Sequence, residues 1–174
     1  MKAFNSISLV LITALAAIGG TAYGQVPGTN DTSDASNNTG SGTGTLSSLD
    51  TGSNNTASGY NALHGNTSGS GNTAAGSSTL QTNTTGGSNT ALGAYALNGN
   101  TSGNNNSACG YATLVSNTTG SQNTASGSGA LNANTSGVSN SASGYAALTT
   151  NTTANENTAS GAWALTANTT GSDN

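Results

Sequence analysis

Charge is almost missing from this sequence. Of 174 residues, one is Lys or Arg and five are Asp or Glu. The one cation, Lys2, falls in the leader described below. The mature chain is left with Asp31, Asp34, Asp50, Glu156 and Asp173 and nothing to balance them. A chain without Lys or Arg cannot neutralise phosphates, which excludes nucleic acid as a partner. Anionic lipid is excluded on the same ground, because no basic patch exists to hold it. One cysteine, Cys109, forbids an intrachain disulfide. One histidine, His64, stands alone, and no cation is available to activate Cys109, so no nucleophile and base are paired. The scattered acids form neither an Asp-x-Asp-x-Asp-Gly loop nor a Gly-Gly-x-Gly-x-Asp repeat. The expectation is a protein that is not an enzyme and takes no metal or cofactor.

Long apolar runs are missing too, apart from the first residues. Met1-Lys2 is a short positive start, Ile7 to Ile18 is apolar, and Ala22-Tyr23-Gly24 supplies small residues before a cut ahead of Gln25. Residues 1–24 therefore read as a secretory signal of bacterial style, too short to span a membrane as a helix. The product is expected to be exported, to the cell surface or beyond. Residues 25–37, with Pro27, Gly28 and several Asn and Asp, read as a flexible linker.

What remains is a repeat. From Asn55 the same residue returns at Asn72, Asn89, Asn106, Asn123, Asn140 and Asn157, always 17 residues on and with no insertion. Each copy has Ala third, Gly fifth, Leu ninth, Asn twelfth and Thr thirteenth, and Gly fifteenth except for Ala154. A strict period of this length marks a stacked solenoid, where a linker would need only composition. Residues 55–173 form seven such copies, and residues 38–54 keep partial phase as a degenerate copy suited to capping the stack. Recurrent Gly and β-branched Thr disfavour helix. The Asn-Thr-Ala-x-Gly and Ala-Leu segments read as short extended runs, and Asn-Thr-Thr/Ser-Gly as turn chemistry. The fold class is all-β, a parallel β-solenoid or β-roll of 17-residue coils. Stacked at about 4.8 Å, seven coils make a rod of about 34 Å.

Each coil offers one large apolar side chain to the interior, the ladder Leu63, Leu80, Leu97, Leu114, Leu131, Leu148 and Leu165. Burying one Leu contributes about 2–3 kcal/mol, whereas ordering backbone costs about 1–2 kcal/mol per residue. A core this thin favours side-by-side association of several chains.

Asn-Thr/Ser-Ala-x-Gly, then Ala-Leu, then Asn-Thr-Thr-Gly resembles the head repeats of trimeric autotransporter adhesins and related bacterial surface and tail-fibre-like proteins. The likeness covers residues 38–174. It implies left-handed parallel β-rolls with three chains side by side, displaying binding surfaces away from the cell. Two departures stand out. The family's repeats are usually shorter than the 17 residues here. The position before the Gly, usually apolar in the family, is here Ser58, Ala75, Leu92, Cys109, Ser126, Ser143 and Ser160, which predicts a weaker core. No stalk or membrane-anchoring barrel follows in this sequence, so any membrane attachment would use an anchor outside it. The chain reads as a fragment that continues beyond residue 174, or else as a freely secreted rod.

Three features are candidates for function. All mature aromatics fall at two adjacent repeat positions: Tyr60, Tyr111 and Tyr145 at the sixth, Tyr95 and Trp163 at the seventh. Rings clustered in this way stack on a glycan or pack at a coil corner or a chain interface. The Asn-Thr-Thr/Ser triplets at Asn66, Asn83, Asn100, Asn117, Asn134, Asn151 and Asn168 are formally N-glycosylation sequons. Alternatively, they are turn and ladder residues of stacked coils. The constant Thr of each copy, Thr67 through Thr169, would form an uncharged array of the kind that orders water or ice. The expected function is an exported adhesin or fibre segment, a homotrimer that holds a host or environmental surface, glycan included, through many weak contacts. A non-binding spacer or matrix fibre and an ice-binding solenoid are the alternatives.

Overall fold

The computed structural model describes residues 36–174 together with the backbone of Thr32 and Ser33. The leader and most of the expected linker lie outside the described residues. The periodicity is realised as one coil per copy. Nine strands form a single sheet in sequence order: β1 (Thr32–Ser33), β2 (Thr39–Ser41), β3 (Thr56–Ser58), β4 (Thr73–Ala75), β5 (Thr90–Leu92), β6 (Ser107–Cys109), β7 (Thr124–Ser126), β8 (Ser141–Ser143) and β9 (Thr158–Ser160). From β2 to β9 every neighbour is parallel and in register. The first strand position sets Thr or Ser on Thr or Ser, and the centre sets Ala on Ala after Gly40 on Ala57, while the third is mixed, with Ala75 on Leu92 and Leu92 on Cys109. Among the described residues the fold is therefore an all-β parallel solenoid without helix, as the period predicts. β1 pairs antiparallel with β2. Part of the stretch expected as linker is thus a strand laid on the first coil.

The strand alternates. Its outer residues are exposed and its central Ala is buried, as a half-buried strand must be. The residue before the Gly therefore faces out, and Ser at that place costs the core nothing. The weak core expected from this departure does not arise. The Ala-Leu segment also departs from expectation, being a turn instead of an extended run. Every Leu of the ladder sits in the left-handed region, with φ of 51° at Leu63 and 50° at Leu80 and Leu97. The preceding Ala N–H donates back to the fifth-position Gly, as in Ala62 N to Gly59 O at 3.3 Å. This bend swings the Leu into the interior. Leu63 through Leu148 are fully buried, and the cost of the left-handed backbone, about 1–2 kcal/mol, is offset by burial worth about 2–3 kcal/mol. Leu165, in the last coil, is 39% exposed.

Two polar columns complete the core. The first-position Asn and the twelfth-position Asn are both buried. Asn89 Nδ2 donates to Asn72 Oδ1 at 3.1 Å and to Gly103 O at 2.9 Å, and Asn100 Nδ2 reaches the same Gly103 O at 3.1 Å and Asn83 Oδ1 at 2.7 Å. The same pattern repeats coil after coil. The fifteenth-position Gly makes room for it, since a Cβ on Gly103 would lie 2.2 Å from Gly120 O. In residues 38–54, Leu49 stands where later coils have the twelfth-position Asn, and it is buried. The polar column thus begins on an apolar residue, consistent with a capping copy. The Leu column, the Ala of each strand and the two Asn columns close the interior within one chain.

Candidate functional site

The five aromatics lie outside this closed core, between 44% and 60% exposed. Positions six and seven follow the strand and its Gly, where the chain turns away from the sheet. Stacking places them in a row along the axis. Tyr95 and Tyr111, on consecutive coils, meet edge to face with centroids 6.0 Å apart, and Tyr145 and Trp163 do so at 4.9 Å. Tyr60 stands apart from both pairs, nearer residues 38–54. The structure thus brings all five predicted residues to one ridge, and it places none of them inside a coil.

The seventh position is strained. Its residues have positive φ throughout, 53° at Asn61, 55° at Ser78, 61° at Tyr95 and 62° at Trp163. Asn tolerates that region; a bulky ring does not, and the cost is of order 1–3 kcal/mol. For the ladder Leu, burial offsets the same cost. Tyr95 and Trp163, 44% and 59% exposed, recover only part of it, through their ring contacts with Tyr111 and Tyr145.

Beside the ridge runs the tenth-position row. Asn98 Nδ2 donates to Ser78 O at 2.8 Å and to Gln81 Oε1 at 3.1 Å, and Asn132 Nδ2 donates to Ala112 O at 3.1 Å. His64, single in sequence, has a neighbour that spacing did not reveal: Ser47 Oγ lies 2.6 Å from its Nδ1. Both occupy the tenth position of consecutive copies, which is the signal that would have found the pair. The same Nδ1 lies 3.1 Å from Gly44 O. Nδ1 serves one of the two at a time: protonated, it donates to the Gly44 carbonyl or to Ser47 Oγ; unprotonated, it accepts from the Ser47 hydroxyl. The pair ties residues 38–54 to the first full coil. Cys109 is exposed on the outer face of β6. Among the described residues no three of His, Cys, Asp and Glu gather where they would hold a metal ion.

The Asn-Thr-Thr/Ser triplets resolve towards structure. The sequon Asn from Asn66 to Asn151 are fully buried, and their Nδ2 donates within the core, as Asn117 Nδ2 does to Asn100 Oδ1 at 2.8 Å and Gly120 O at 2.9 Å. A folded coil does not present that nitrogen to an enzyme. The constant Thr hydroxyls are committed as well. Thr84 Oγ1 donates to Thr101 O at 2.9 Å and Thr118 Oγ1 to Thr135 O at 3.0 Å. The array expected for ice is regular, but its protons go to backbone carbonyls.

Compared with known protein families, with curated proteins and with solved structures, the chain matches none of them.

Proposed function

We propose that this chain is an exported rod that acts as an adhesive or fibre segment at a bacterial surface, making many weak contacts through its aromatic ridge. One observation carries the reading: Tyr95 and Trp163 occupy a strained left-handed position, yet are left exposed. The seventh position is left-handed in every coil, whichever residue it holds, so the coil itself does not call for a ring there, and an exposed ring contributes little to its core. An apolar patch of a few hundred Å², the area such a row of rings presents, is of the size that is often functional on a single chain. Repetition along a stiff rod turns individually weak contacts into avidity. The leader reading supports export, and the resemblance to adhesin heads supports the surface role. The homotrimer that the resemblance implies would be an assembly of three finished rods, because each chain closes its own Leu column.

The test compares residues 25–174 with a variant in which Tyr60, Tyr95, Tyr111, Tyr145 and Trp163 are Ser. Retention of bead-coupled protein is measured on cell-wall, polysaccharide and protein-coated surfaces. The expected result is a loss of retention of about tenfold or more with an unchanged circular dichroism spectrum. Equal retention of the two proteins would return the chain to the spacer reading.

A further inference from the structure

The ridge is interrupted at a regular interval. The pair Tyr95 and Tyr111 and the pair Tyr145 and Trp163 are three coils apart, about 14 Å at the usual strand spacing. Tyr60 makes a third platform towards residues 38–54. The coils between the platforms carry only small groups at these positions, Ser77 with Ser78 and Ser128 with Gly129. The amides of Gln81 and Asn98, fixed to one another, lie beside the row. Neither the ridge nor the tenth-position row contains an acid, a Lys or an Arg.

Resting on the adhesive reading, we propose that the ridge binds an extended, uncharged, β-linked polysaccharide lying along the solenoid axis. Each platform offers a ring to the apolar face of a sugar, and the fixed amides offer donors and acceptors to its hydroxyls. A straight row of platforms suits a straight polymer, which meets several at once. A coiled α-linked chain leaves the row after one. Anionic glycans find no cation to neutralise them. A second copy of this chain fits less well. The rings expose on the order of 500 Å², against the roughly 800 Å² per partner that a stable protein interface buries. The gaps at Ser77 and Ser128 divide that area further. Affinity then depends on length: a short oligosaccharide reaches one platform, and a longer one gains the second at high effective concentration.

The test is isothermal titration calorimetry of residues 25–174 with β-1,4-linked gluco-oligosaccharides of increasing length, and with α-1,4-linked ones of matched length. The expected result is a drop in Kd of about tenfold or more at the length that first spans two platforms, in the β-linked series alone. Tyr95→Ala with Tyr111→Ala removes the middle platform and moves that step to longer oligosaccharides. Ala94 and Ala112 already stand at the sixth and seventh positions, so both substitutions suit the fold. A Kd independent of length, equal binding of the α-linked series, or no binding at all would overturn the proposal. If no oligosaccharide binds while the five-fold Ser variant still loses surface retention, the polysaccharide inference fails and the adhesive reading stands. If retention is also unchanged, both fall.

Discussion

Asn106 donates both Nδ2 protons inside the core, one to Asn89 Oδ1 at 3.1 Å and one to Gly120 O at 2.8 Å. Its Oδ1 accepts from Asn123 N at 3.0 Å and from Asn123 Nδ2 at 3.2 Å. Every hydrogen-bonding site of this amide is thus used, as burial requires. Asn106→Ala would leave partners on two neighbouring coils without it, each unsatisfied group costing about 1–3 kcal/mol. The expected loss of stability is on the order of 3 kcal/mol or more, read as a lower urea midpoint. A loss below about 1 kcal/mol would mean that water or a shift of the coils replaces the ladder. At this scale the sequence shows which residues are constant, but only in part why. An Asn beside Thr and Gly reads as turn chemistry, and its inward direction emerges only when identical residues stack. The aromatics were legible as a set because they share two repeat positions. Their strain was not, since composition carries no φ.

Each coil is held by a strand of three residues and by left-handed residues at its seventh, ninth and seventeenth positions. The Ala-Leu segment looked extended because an apolar pair beside small residues fits a short strand as readily as a turn. The structure makes it a bend, which is how one Leu per coil reaches the centre. The fifth-position Gly, constant in the sequence, is needed for close stacking. A Cβ on Gly110, where φ is 135°, would lie 2.8 Å from Gly127 C and 2.9 Å from Thr113 Oγ1. Gly129, at the seventh position with φ of 70°, has nothing within 4 Å of such a Cβ. Gly110→Ala is therefore expected to cost about 3 kcal/mol or more, and Gly129→Ala only about 1–2 kcal/mol from its left-handed backbone. Urea unfolding of the two variants checks the difference. Equal losses would show that backbone conformation, and not contact between coils, is what keeps the fifth position Gly.

At the scale of the whole rod, the period alone was enough to give parallel coils, one per 17 residues. It did not show that the core closes within one chain. Counting one Leu per coil as the whole interior left a core too thin to stand alone, and so favoured association. The two Asn columns, invisible to a hydrophobic count, fill the rest. Exposed Ser and Thr then cover most of the outer face of the sheet, where Leu92 and Cys109 are the apolar exceptions, and the aromatic ridge lies beyond it at the turn.

If each chain closes its own core, its fold survives dilution. Residues 25–174 would be followed by sedimentation velocity, with circular dichroism recorded at each concentration. The most dilute samples are expected to contain an elongated monomer with its β-structure intact, whatever assembly forms at higher concentration. A trimer that loses its β-structure as it dissociates would contradict closure within one chain, because the core would then be shared between chains.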